Sequence, residues 1–414
     1  MSEIYVKLAQ QCRMMKICEV DIIGNPDTHT IIGLNKEGLS LIEKLKEGKP
    51  IESSSLTGNQ ILLINELSMN GFFTEHEDSL YVKSTYFHVT SHCNLKCPGC
   101  YSYETARNAA KDLSLDELRN ILDNLINAGL THLVISGGEP FLRDDLEAFL
   151  LYARSKQQIQ YIECITNGTL SLDRYRNASQ YLDKLTFSLD SAQAEKAMIR
   201  PAEEFNSIVS KIIDLQSEDI PVSIVYTIHH GNVANCDELM DFANTIKVQY
   251  RFSILTVDTF NVTSPLMLTA EDYRIFHDFI MSHQSNVSVE DSALGNHVGC
   301  IESCGAGKTM VSIASDGSIY PCHMFVGRKA FVMGNALRDD IKETVHNSLS
   351  NPFHDLNVDR FDHCKDCHVR YVCGGGCRFR AYVTCGSIKG SDPMCNTYLD
   401  NKELSILRLS EQSR

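Results

Sequence analysis

The stretch that decides the fold runs from residue 84 to residue 101 and reads STYFHVTSHCNLKCPGCY. Its first seven residues are rich in β-branched and aromatic side chains, which predicts a β-strand. Cys93, Cys97 and Cys100 follow in a C-x3-C-x2-C spacing. Zinc sites usually draw four ligands from two C-x2-C pairs, whereas three thiolates suit a four-iron cluster that keeps one iron open. We therefore expect an iron–sulfur centre at the end of this strand.

From residue 84 to about residue 283, the apolar periodicity predicts strict alternation of strands and helices. The strands are expected near residues 84–90, 131–136, 160–165, 184–190, 221–228 and 250–255. The helices are expected near residues 114–128, 144–156, 172–182, 203–217, 234–246 and 270–283. The first helix is the clearest, because Ser114 and Glu117 have the spacing of a capping box. Six βα units predict an α/β fold with a parallel sheet, either doubly wound or an open six-stranded barrel.

Three short polar or glycine-containing segments follow predicted strands at one end of this sheet. Residues 136–140 (SGGEP) follow the second strand, residues 166–168 (TNG) follow the third, and residues 188–190 (SLD) end the fourth. Parallel α/β proteins build their sites at the carboxyl ends of strands. These segments and the three cysteines are therefore expected to share one site.

The cysteine spacing, the Gly-Gly-Glu-Pro segment and the six βα units resemble the radical S-adenosylmethionine (SAM) superfamily over residues 84–283. The resemblance implies a partial (β/α)6 TIM-like barrel. It also implies a cluster on Cys93, Cys97 and Cys100 whose open iron binds the amine and carboxylate of SAM. An electron from the reduced cluster would break a carbon–sulfur bond and release a 5′-deoxyadenosyl radical.

The same resemblance implies which residues contact SAM. They are Tyr101, Gly137, Gly138, Glu139, Thr166, Asn167, Ser188 and Asp190. The segment Gly137–Glu139 would hold the amino group, with the Glu139 carboxylate facing the ammonium as a charge-assisted pair. Members of the superfamily usually have an aromatic residue where Gly99 stands, so the adenine contact is expected from Tyr101 or the backbone. The alternatives are a simple turn at Gly137-Gly138 and a helix cap at Asp190.

Sixteen cysteines in 414 residues indicate metal ligands rather than disulfides if the compartment is reducing. Cys364, Cys367, Cys373 and Cys377 form a C-x2-C-x5-C-x3-C array. Further cysteines lie on both sides of the array, at Cys300, Cys304, Cys322 and Cys395. This region is rich in glycine and short turns, so metal ligation is expected to hold it together. A structural zinc ribbon is the alternative reading.

The array resembles the SPASM extension of radical enzymes that act on peptides, which carries two auxiliary clusters and would bring the total to three [4Fe-4S] clusters. The resemblance implies that the first is held by Cys300, Cys304, Cys322 and Cys377, and the second by Cys364, Cys367, Cys373 and Cys395. If Cys300 does not reach, the first keeps an open iron for a substrate thiolate. The glycine run 374–376 either brings N–H groups to these sulfurs or only makes a turn. The remaining cysteines are expected to be buried or loop thiols, namely Cys12, Cys18, Cys164, Cys236 and Cys385.

Residues 1–80 have the pattern of a small separate domain. Residues 15–23 and 28–33 predict two strands around an Asn-Pro-Asp turn, and residues 36–45 and 57–69 predict two helices. The expected domains are winged-helix-like over 1–80, SAM-binding over 81–290 and SPASM over 291–414. The first resembles the precursor-recognition elements of peptide-modifying enzymes, which bind a leader peptide as an added strand. A structural cap and a DNA reader are the alternatives.

Charge and hydropathy exclude several classes of partner. The formal charge of −15 argues against nucleic acid and against a polybasic membrane surface, because both need a surplus of Lys and Arg. No apolar run approaches the roughly 18 residues of a membrane span, and the N-terminus lacks the pattern of a signal peptide. We therefore expect a cytoplasmic protein without a membrane partner.

The resemblances together imply a radical SAM oxidoreductase that matures a ribosomally synthesised and post-translationally modified peptide (RiPP), with a flavodoxin- or ferredoxin-type electron donor. The chain is similar to sactipeptide and ranthipeptide maturases, which join a cysteine sulfur to a carbon as a thioether. The first alternative is an anaerobic sulfatase-maturating enzyme, which forms formylglycine and typically has Asp where His323 stands. Peptide carbon–carbon crosslinking, epimerisation with Cys164 or Cys236 as hydrogen donor, and a non-catalytic zinc scaffold are the others.

Overall fold

The computed structural model describes residues 3–4, 6–48, 50–74, 81–102, 107–256, 265–283, 287–289 and 298–412. The chain divides into two compact units. The first comprises Met1–Ser79, Asp291–Cys304 and Asn357–Arg414, and the second comprises Leu80–Glu290 and Gly305–Leu356. The region after residue 290, which the sequence assigns to a single domain, therefore contributes to both units.

The first unit begins with a small sheet and two helices. Its strands are β1 (Glu3–Ile4), β2 (Arg13–Ile17), β3 (Val20–Asn25), β4 (Thr30–Leu34) and β5 (Ile51–Glu52), and its helices are α1 (Lys36–Glu47) and α2 (Gly58–Met69). Strands β2, β3 and β4 form an antiparallel sheet in that order, and β1 pairs with β5. Both helices begin at a side-chain cap, Asn35 for α1 and Thr57 for α2. Ile23, Leu41 and Phe72 lie at the centre of the core between them.

The single strand predicted over residues 15–23 is wrong, because a hairpin turn divides it. Cys18 and Glu19 have φ angles of 47° and 64°, so β2 and β3 are joined by a tight turn of two left-handed residues. Such turns normally carry Gly, Asn or Asp, which tolerate positive φ. Cys and Glu give no such signal, and the turn was therefore invisible in the sequence. The second predicted strand is confirmed as β4.

The second unit is built on six parallel strands in sequence order. They are β6 (Ser84–Thr90), β7 (His132–Gly137), β8 (Tyr161–Thr166), β9 (Lys184–Leu189), β10 (Val222–Ile228) and β11 (Gln249–Ile254). The helices of this region are α3 (Leu115–Asn127), α4 (Leu146–Arg154), α5 (Leu172–Ser179), α6 (Phe205–Ser217), α7 (Cys236–Thr245) and α8 (Ala270–His283). The predicted strands and helices of residues 84–283 are confirmed, and so is the capping box at Ser114 and Glu117. The parallel α/β fold class is confirmed with them.

The sheet continues beyond the six strands, which the sequence did not indicate. β12 (Met310–Ile313) pairs parallel with β6 on the side away from β7, and β13 (Ser318–Tyr320) and β14 (Gly334–Asn335) follow in antiparallel order. A short helix, α9 (Ile341–His346), ends this part. The Asn124 amide of α3 donates to the carbonyls of Ala336 and Asp339, which fixes the segment after β14 on the unit.

The first unit ends with α10 (Arg370–Cys373), α11 (Arg378–Cys385) and α12 (Cys395–Gln412). Buried charge replaces part of an apolar core here. Arg378 lies over the Phe361 ring at 4.7 Å and donates to the carbonyl of Gly390 at 2.9 Å. The Asp392 carboxylate accepts from Arg380 and from the backbone N–H of Cys377. Among the described residues, no helix combines the length and apolar character needed to cross a bilayer.

Candidate active site

The three cysteines after β6 lie in one cavity at the carboxyl ends of the parallel strands. Cys93 and Cys97 are buried, and Cys100 is half-buried. The cavity wall includes these predicted site residues: Tyr101, Gly137, Gly138, Thr166, Asn167 and Ser188. The structure therefore brings together the cysteines and the predicted segments of three strands.

Gly137 and Gly138 hold the backbone that leads into the cysteines. The N–H of Gly138 donates to the carbonyl of Thr90, and the N–H of Glu139 donates to that of His92, each at 2.8 Å. A Cβ on Gly137 would collide with the Thr90 carbonyl oxygen, and one on Gly138 would collide with the His92 carbonyl. Gly137 also has a φ of 132°, which side chains rarely adopt. The two glycines are therefore required for close backbone approach, beyond forming a turn.

Glu139 joins two strand ends instead of facing the cavity. It is fully buried, and its carboxylate accepts the Thr166 hydroxyl at 2.7 Å, the Asn167 N–H at 2.7 Å and the Phe141 N–H at 3.2 Å. Burial raises its pKa to about 7, against these hydrogen bonds, which favour the charged form. The expected contact of this carboxylate with an ammonium is corrected to a positioning role, because its oxygens are already occupied between β7 and β8.

Asp190 likewise holds a segment of backbone. Its carboxylate accepts the N–H groups of Met198, Ile199 and Arg200 at 2.7, 2.8 and 3.0 Å. Burial would raise its pKa, but hydrogen bonds from His229 and from these N–H groups outweigh burial and lower it. Asp190 is therefore neither a helix cap nor part of the wall around the cysteines. It anchors the segment that carries Arg200.

Two arginines that the sequence analysis missed donate to the cysteine sulfurs. Arg200 Nη1 lies 3.0 Å from Cys97 Sγ, and Arg107 Nη2 lies 3.3 Å from Cys100 Sγ. Cys93 Sγ accepts the N–H of Leu95 at 3.5 Å. Burial would raise the pKa of Cys100, but the charge of Arg107 and a hydrogen bond from Ser102 lower it. Neither arginine belongs to a recognisable motif, so only the folded chain reveals them.

This donor set fits an anionic iron–sulfur cluster. Three thiols lie on one loop, each receives an N–H donor, and two of the donors are cationic, which favours the thiolate form that binds metal. The Arg200 Nε is buried and has no hydrogen-bond partner among the described residues. Asn108 fixes the loop by accepting from the N–H of Cys93 at 2.8 Å and donating to its carbonyl at 3.1 Å.

Aromatic rings line the cavity next to the cysteines. The Tyr101 hydroxyl lies 2.9 Å from the Ser136 hydroxyl, and its ring packs edge-on against His323 at 5.1 Å. His323 in turn stacks on Tyr86 at 4.0 Å. His88 is buried beside Tyr101, and burial lowers its pKa to about 3, so it stays neutral at ordinary pH. The alternation of β6 gave a usable signal, because its polar and aromatic residues recur every second position.

Four cysteines of the second group come together in the first unit, namely Cys364, Cys367, Cys373 and Cys395. The charges of the other three each raise the pKa of Cys373, which burial already raises to about 12. His363 Nε2 lies 3.3 Å from Cys395 Sγ. No three His, Cys, Asp or Glu side chains in the described ranges converge tightly enough to hold a single metal ion. The spacing of these thiols therefore favours a larger group than the zinc of a ribbon.

The glycine run 374–376 serves both purposes that the sequence left open. All three residues have positive φ angles, of 68°, 86° and 72°. A Cβ on Gly374 or Gly375 would press on Ile301 or Phe361 at 2.8 and 2.9 Å. The N–H of Gly375 donates to Cys373 and favours its thiolate. The run is thus a tight turn that also brings an N–H group to a sulfur.

Cys300 lies in the core of the N-terminal sheet. Its Sγ would be 2.7 Å from a Cβ on Gly24, its N–H donates to the carbonyl of His29, and burial raises its pKa to about 12. The grouping of Cys304, Cys322 and Cys377 stays a prediction. Among the remaining cysteines, Cys164 and Cys236 are buried as expected, Cys12 and Cys18 are half-buried, and Cys385 is exposed.

Comparisons with known proteins agree with this site. A model of the radical SAM superfamily matches residues 87–243, and a model of the SPASM iron–sulfur cluster-binding domain matches residues 304–368. The mycofactocin maturase MftC of Mycolicibacterium smegmatis is 29% identical over 327 residues, which is 74% of this chain and 81% of MftC.

Two solved structures share the fold. The structure of anSMEcpe with bound AdoMet has a TM-score of 0.62 at 19% identity and covers 79% of this chain and 94% of its own. SuiB of Streptococcus suis bound to its precursor peptide SuiA has a TM-score of 0.60 at 15% identity, over 94% of this chain and 98% of SuiB. The two matched domains imply [4Fe-4S] clusters and SAM as cofactors. The chain is therefore an enzyme that belongs to the radical SAM superfamily and carries an SPASM domain.

Proposed function

We propose that the protein matures a ribosomally synthesised precursor peptide by joining a cysteine sulfur to a carbon as a thioether. The observation that carries the proposal is an apolar groove in the first unit, beside one edge of β4. The names of two similar proteins support a peptide substrate, since MftC is called a maturase and SuiB is described with a bound precursor peptide. A small metabolite would have no use for such a groove.

The groove has the parts that an extended peptide needs. β4 lies at the end of its sheet and pairs with β3 alone among the described strands, so its outer edge offers N–H and C=O groups for an added strand. Leu63 of α2 and Leu409 of α12 supply apolar contacts in the same groove. Glu37 and Glu66 line it as well, which favours a leader that sets cationic side chains around an apolar one.

The cavity of the second unit would carry the radical chemistry. In this proposal Cys93, Cys97 and Cys100 hold the SAM-binding cluster, which supplies the electron for carbon–sulfur cleavage when it is reduced by a flavodoxin- or ferredoxin-type donor. Gly137 and Gly138 leave space for the methionyl amine beside backbone carbonyls. The residues that would line the rest of SAM are Tyr101, Thr166, Asn167 and Ser188.

The SPASM cysteines complete a set of three [4Fe-4S] clusters in this proposal. Cys364, Cys367, Cys373 and Cys395 would hold one auxiliary cluster. Cys304, Cys322 and Cys377 would hold the other, with a position left for a substrate thiolate, because Cys300 is engaged in the N-terminal sheet.

The proposed reaction balances in atoms and electrons. A peptide C–H bond loses its hydrogen atom to the 5′-deoxyadenosyl radical, which leaves as 5′-deoxyadenosine. The cysteine thiol of the peptide loses its proton, its sulfur bonds to the carbon, and one electron departs to an auxiliary cluster. That electron equals the one used to cleave SAM. The peptide therefore loses two hydrogen atoms for each thioether formed.

Anaerobic co-expression with the short reading frames that neighbour the gene tests this function. We expect mass spectrometry to show the loss of two hydrogen atoms per thioether, in a peptide whose thiols resist alkylation. Cys97→Ser is the control and should leave the peptide unmodified. The same mass loss with thiols that still react would indicate carbon–carbon crosslinking instead. An unchanged mass for every reading frame, from enzyme that still cleaves SAM, would contradict the proposal.

Epimerisation has less support, because it needs a hydrogen-atom donor at the site. Cys164 and Cys236 were the candidates, and both are fully buried. Neither is among the described residues that line the cavity of Cys93, Cys97 and Cys100. A sulfur outside the cavity wall is poorly placed to return a hydrogen atom to a bound peptide.

A further inference from the structure

We propose that Arg107 and Arg200 form a cationic clamp on two cluster thiolates and thereby make the bound cluster easier to reduce. We call this pair the arginine clamp. The proposal rests on cluster binding by the radical SAM domain and does not depend on the peptide substrate. It assigns a positioning and tuning role to two side chains for which the sequence offered none.

The two guanidiniums approach different sulfurs from different segments. Arg200, in the segment after β9, donates through Nη1 to Cys97 Sγ at 3.0 Å. Arg107, which follows the cysteine loop, donates through Nη2 to Cys100 Sγ at 3.3 Å. Cys93 receives a neutral backbone donor instead. Two of the three sulfurs therefore have a positive charge within hydrogen-bond distance.

Contacts away from the sulfurs hold both arginines in place. The Asp190 carboxylate accepts the backbone N–H of Arg200 at 3.0 Å and fixes the start of that side chain. Arg107 Nη2 also donates to the Ser102 hydroxyl at 3.1 Å, and that hydroxyl donates to the carbonyl of Gly137 at 2.9 Å. The guanidiniums are therefore oriented by the fold, which reduces the entropy lost when they bind the thiolates.

Reduction adds an electron to a group that thiolate ligands already make negative. A cation hydrogen-bonded to a ligating sulfur stabilises the reduced state more than the oxidised state. Both side chains are half-buried, where water screens charge less than at the surface. We expect the loss of one guanidinium to make reduction about tenfold less favourable, which is about 59 mV for one electron.

The competing assignment is that Arg200 serves only the carboxylate of SAM. Its Nε is buried without a partner among the described residues, so it has a donor left for a second anion. The two assignments differ when SAM is absent. The arginine clamp changes the reduction potential of the cluster without SAM, whereas a carboxylate contact changes it only with SAM.

The test is a redox titration followed by electron paramagnetic resonance, on the full-length, anaerobically reconstituted protein without SAM. R107Q, R200Q and the double variant are compared with the parent. A variant in which Cys93, Cys97 and Cys100 are all Ala gives the background of the auxiliary clusters. R176Q is the matched control, since Arg176 is a guanidinium of the same unit that pairs with Asp173 and Glu218.

We expect each single Gln variant to be reduced about tenfold less readily than the parent, the double variant about a hundredfold, and R176Q to be unchanged. Iron content is measured on the same samples. If a Gln variant loses iron, R107K and R200K take its place, because Lys keeps the charge without the planar fork, and a smaller shift in the same direction is expected. Potentials equal to that of the parent without SAM overturn the proposal.

Discussion

The hydroxyl of Thr166 donates to the Glu139 carboxylate at 2.7 Å and so ties the end of β8 to the segment after β7. Burial raises the pKa of this carboxyl from 4.5 to about 7. Between these pH values the folded protein retains a proton that the unfolded chain has released. The stability linked to Glu139 is therefore complete below about pH 4.5 and is lost as the pH rises to about 7.

We predict that Glu139→Gln removes this pH dependence. Ionisation of Glu139 should lower the free energy of unfolding of the parent by up to about 3 kcal/mol between the two pKa values, whereas Gln does not titrate. Anaerobic urea unfolding of both proteins over that pH range measures the difference in slope, whatever the absolute stability of the variant. Parallel pH profiles for the two proteins would show that Glu139 is ionised throughout.

Gly138→Ala should prevent assembly of the SAM-binding cluster. The new Cβ would meet the carbonyl of His92, the residue before Cys93, and the neighbouring backbone would have to move. We expect the loss of the iron of one cluster and a destabilisation of about 2 kcal/mol or more. Gly58→Ala is the control, because nothing lies within 4 Å of a Cβ there. Full iron content in the Gly138 variant would mean that the loop adjusts to a side chain.

Asp190→Ala should act through Arg200 and not through direct contact with SAM. Three backbone N–H groups lose their acceptor, so the segment 198–200 is released. We expect about tenfold weaker SAM binding, or about 1.4 kcal/mol, by calorimetry. The cluster potential should fall as in R200Q, and Asp190→Asn should recover part of both effects. Weaker SAM binding with an unchanged potential would instead indicate that Asp190 contacts SAM.

Leu63→Asp should weaken binding of the precursor without affecting SAM cleavage. Leu63 lines the groove beside β4, and a carboxylate there would be buried under the bound leader. We expect at least about tenfold lower affinity by fluorescence anisotropy with the cognate precursor. Leu62→Asp, one residue earlier on α2 and 67% exposed, is the matched control and should bind normally. Equal loss in both variants would place the leader elsewhere on the unit.

Cys300→Ala and Cys373→Ala should differ in iron content. The Cys300 thiol is packed beside Gly24 in the N-terminal sheet, so its loss should cost about 1 kcal/mol of stability and no iron. Cys373 lies among three other cysteines, so its replacement should remove the iron of one cluster. Iron analysis of the two reconstituted variants decides this. Loss of iron from the Cys300 variant would restore it as a ligand.

The sequence predicted the secondary structure of residues 84–283 because long apolar stripes and capping boxes are local signals. It also located the segments around Gly137, Thr166 and Ser188, since parallel strands bring their carboxyl ends together. The turn at Cys18 and Glu19 escaped prediction, because both residues adopt positive φ without the usual residue types. Strands β12 to β14 are too short to show a periodicity.

The roles of charged residues were harder to predict than their positions. Glu139 and Asp190 were expected near the cavity, but a sequence does not tell which way a carboxylate points once it is buried. Both satisfy backbone or hydroxyl donors of the protein itself. Arg200 is ten residues beyond Asp190 and lies in no motif, so its contact with Cys97 emerges only from folding.

The pairing of β12 with β6 sets an order of events during synthesis. The Ser312 hydroxyl donates to the carbonyl of Tyr86, a contact that spans 226 residues. At typical ribosomal rates of about 5–20 residues per second, β6 waits on the order of tens of seconds for this partner. Until then the strand that leads into the three cysteines has one open edge, which is where a nascent chain is most prone to aggregate. A cell that makes this protein must therefore protect that edge, with a chaperone or with slow translation, before the cluster can be inserted.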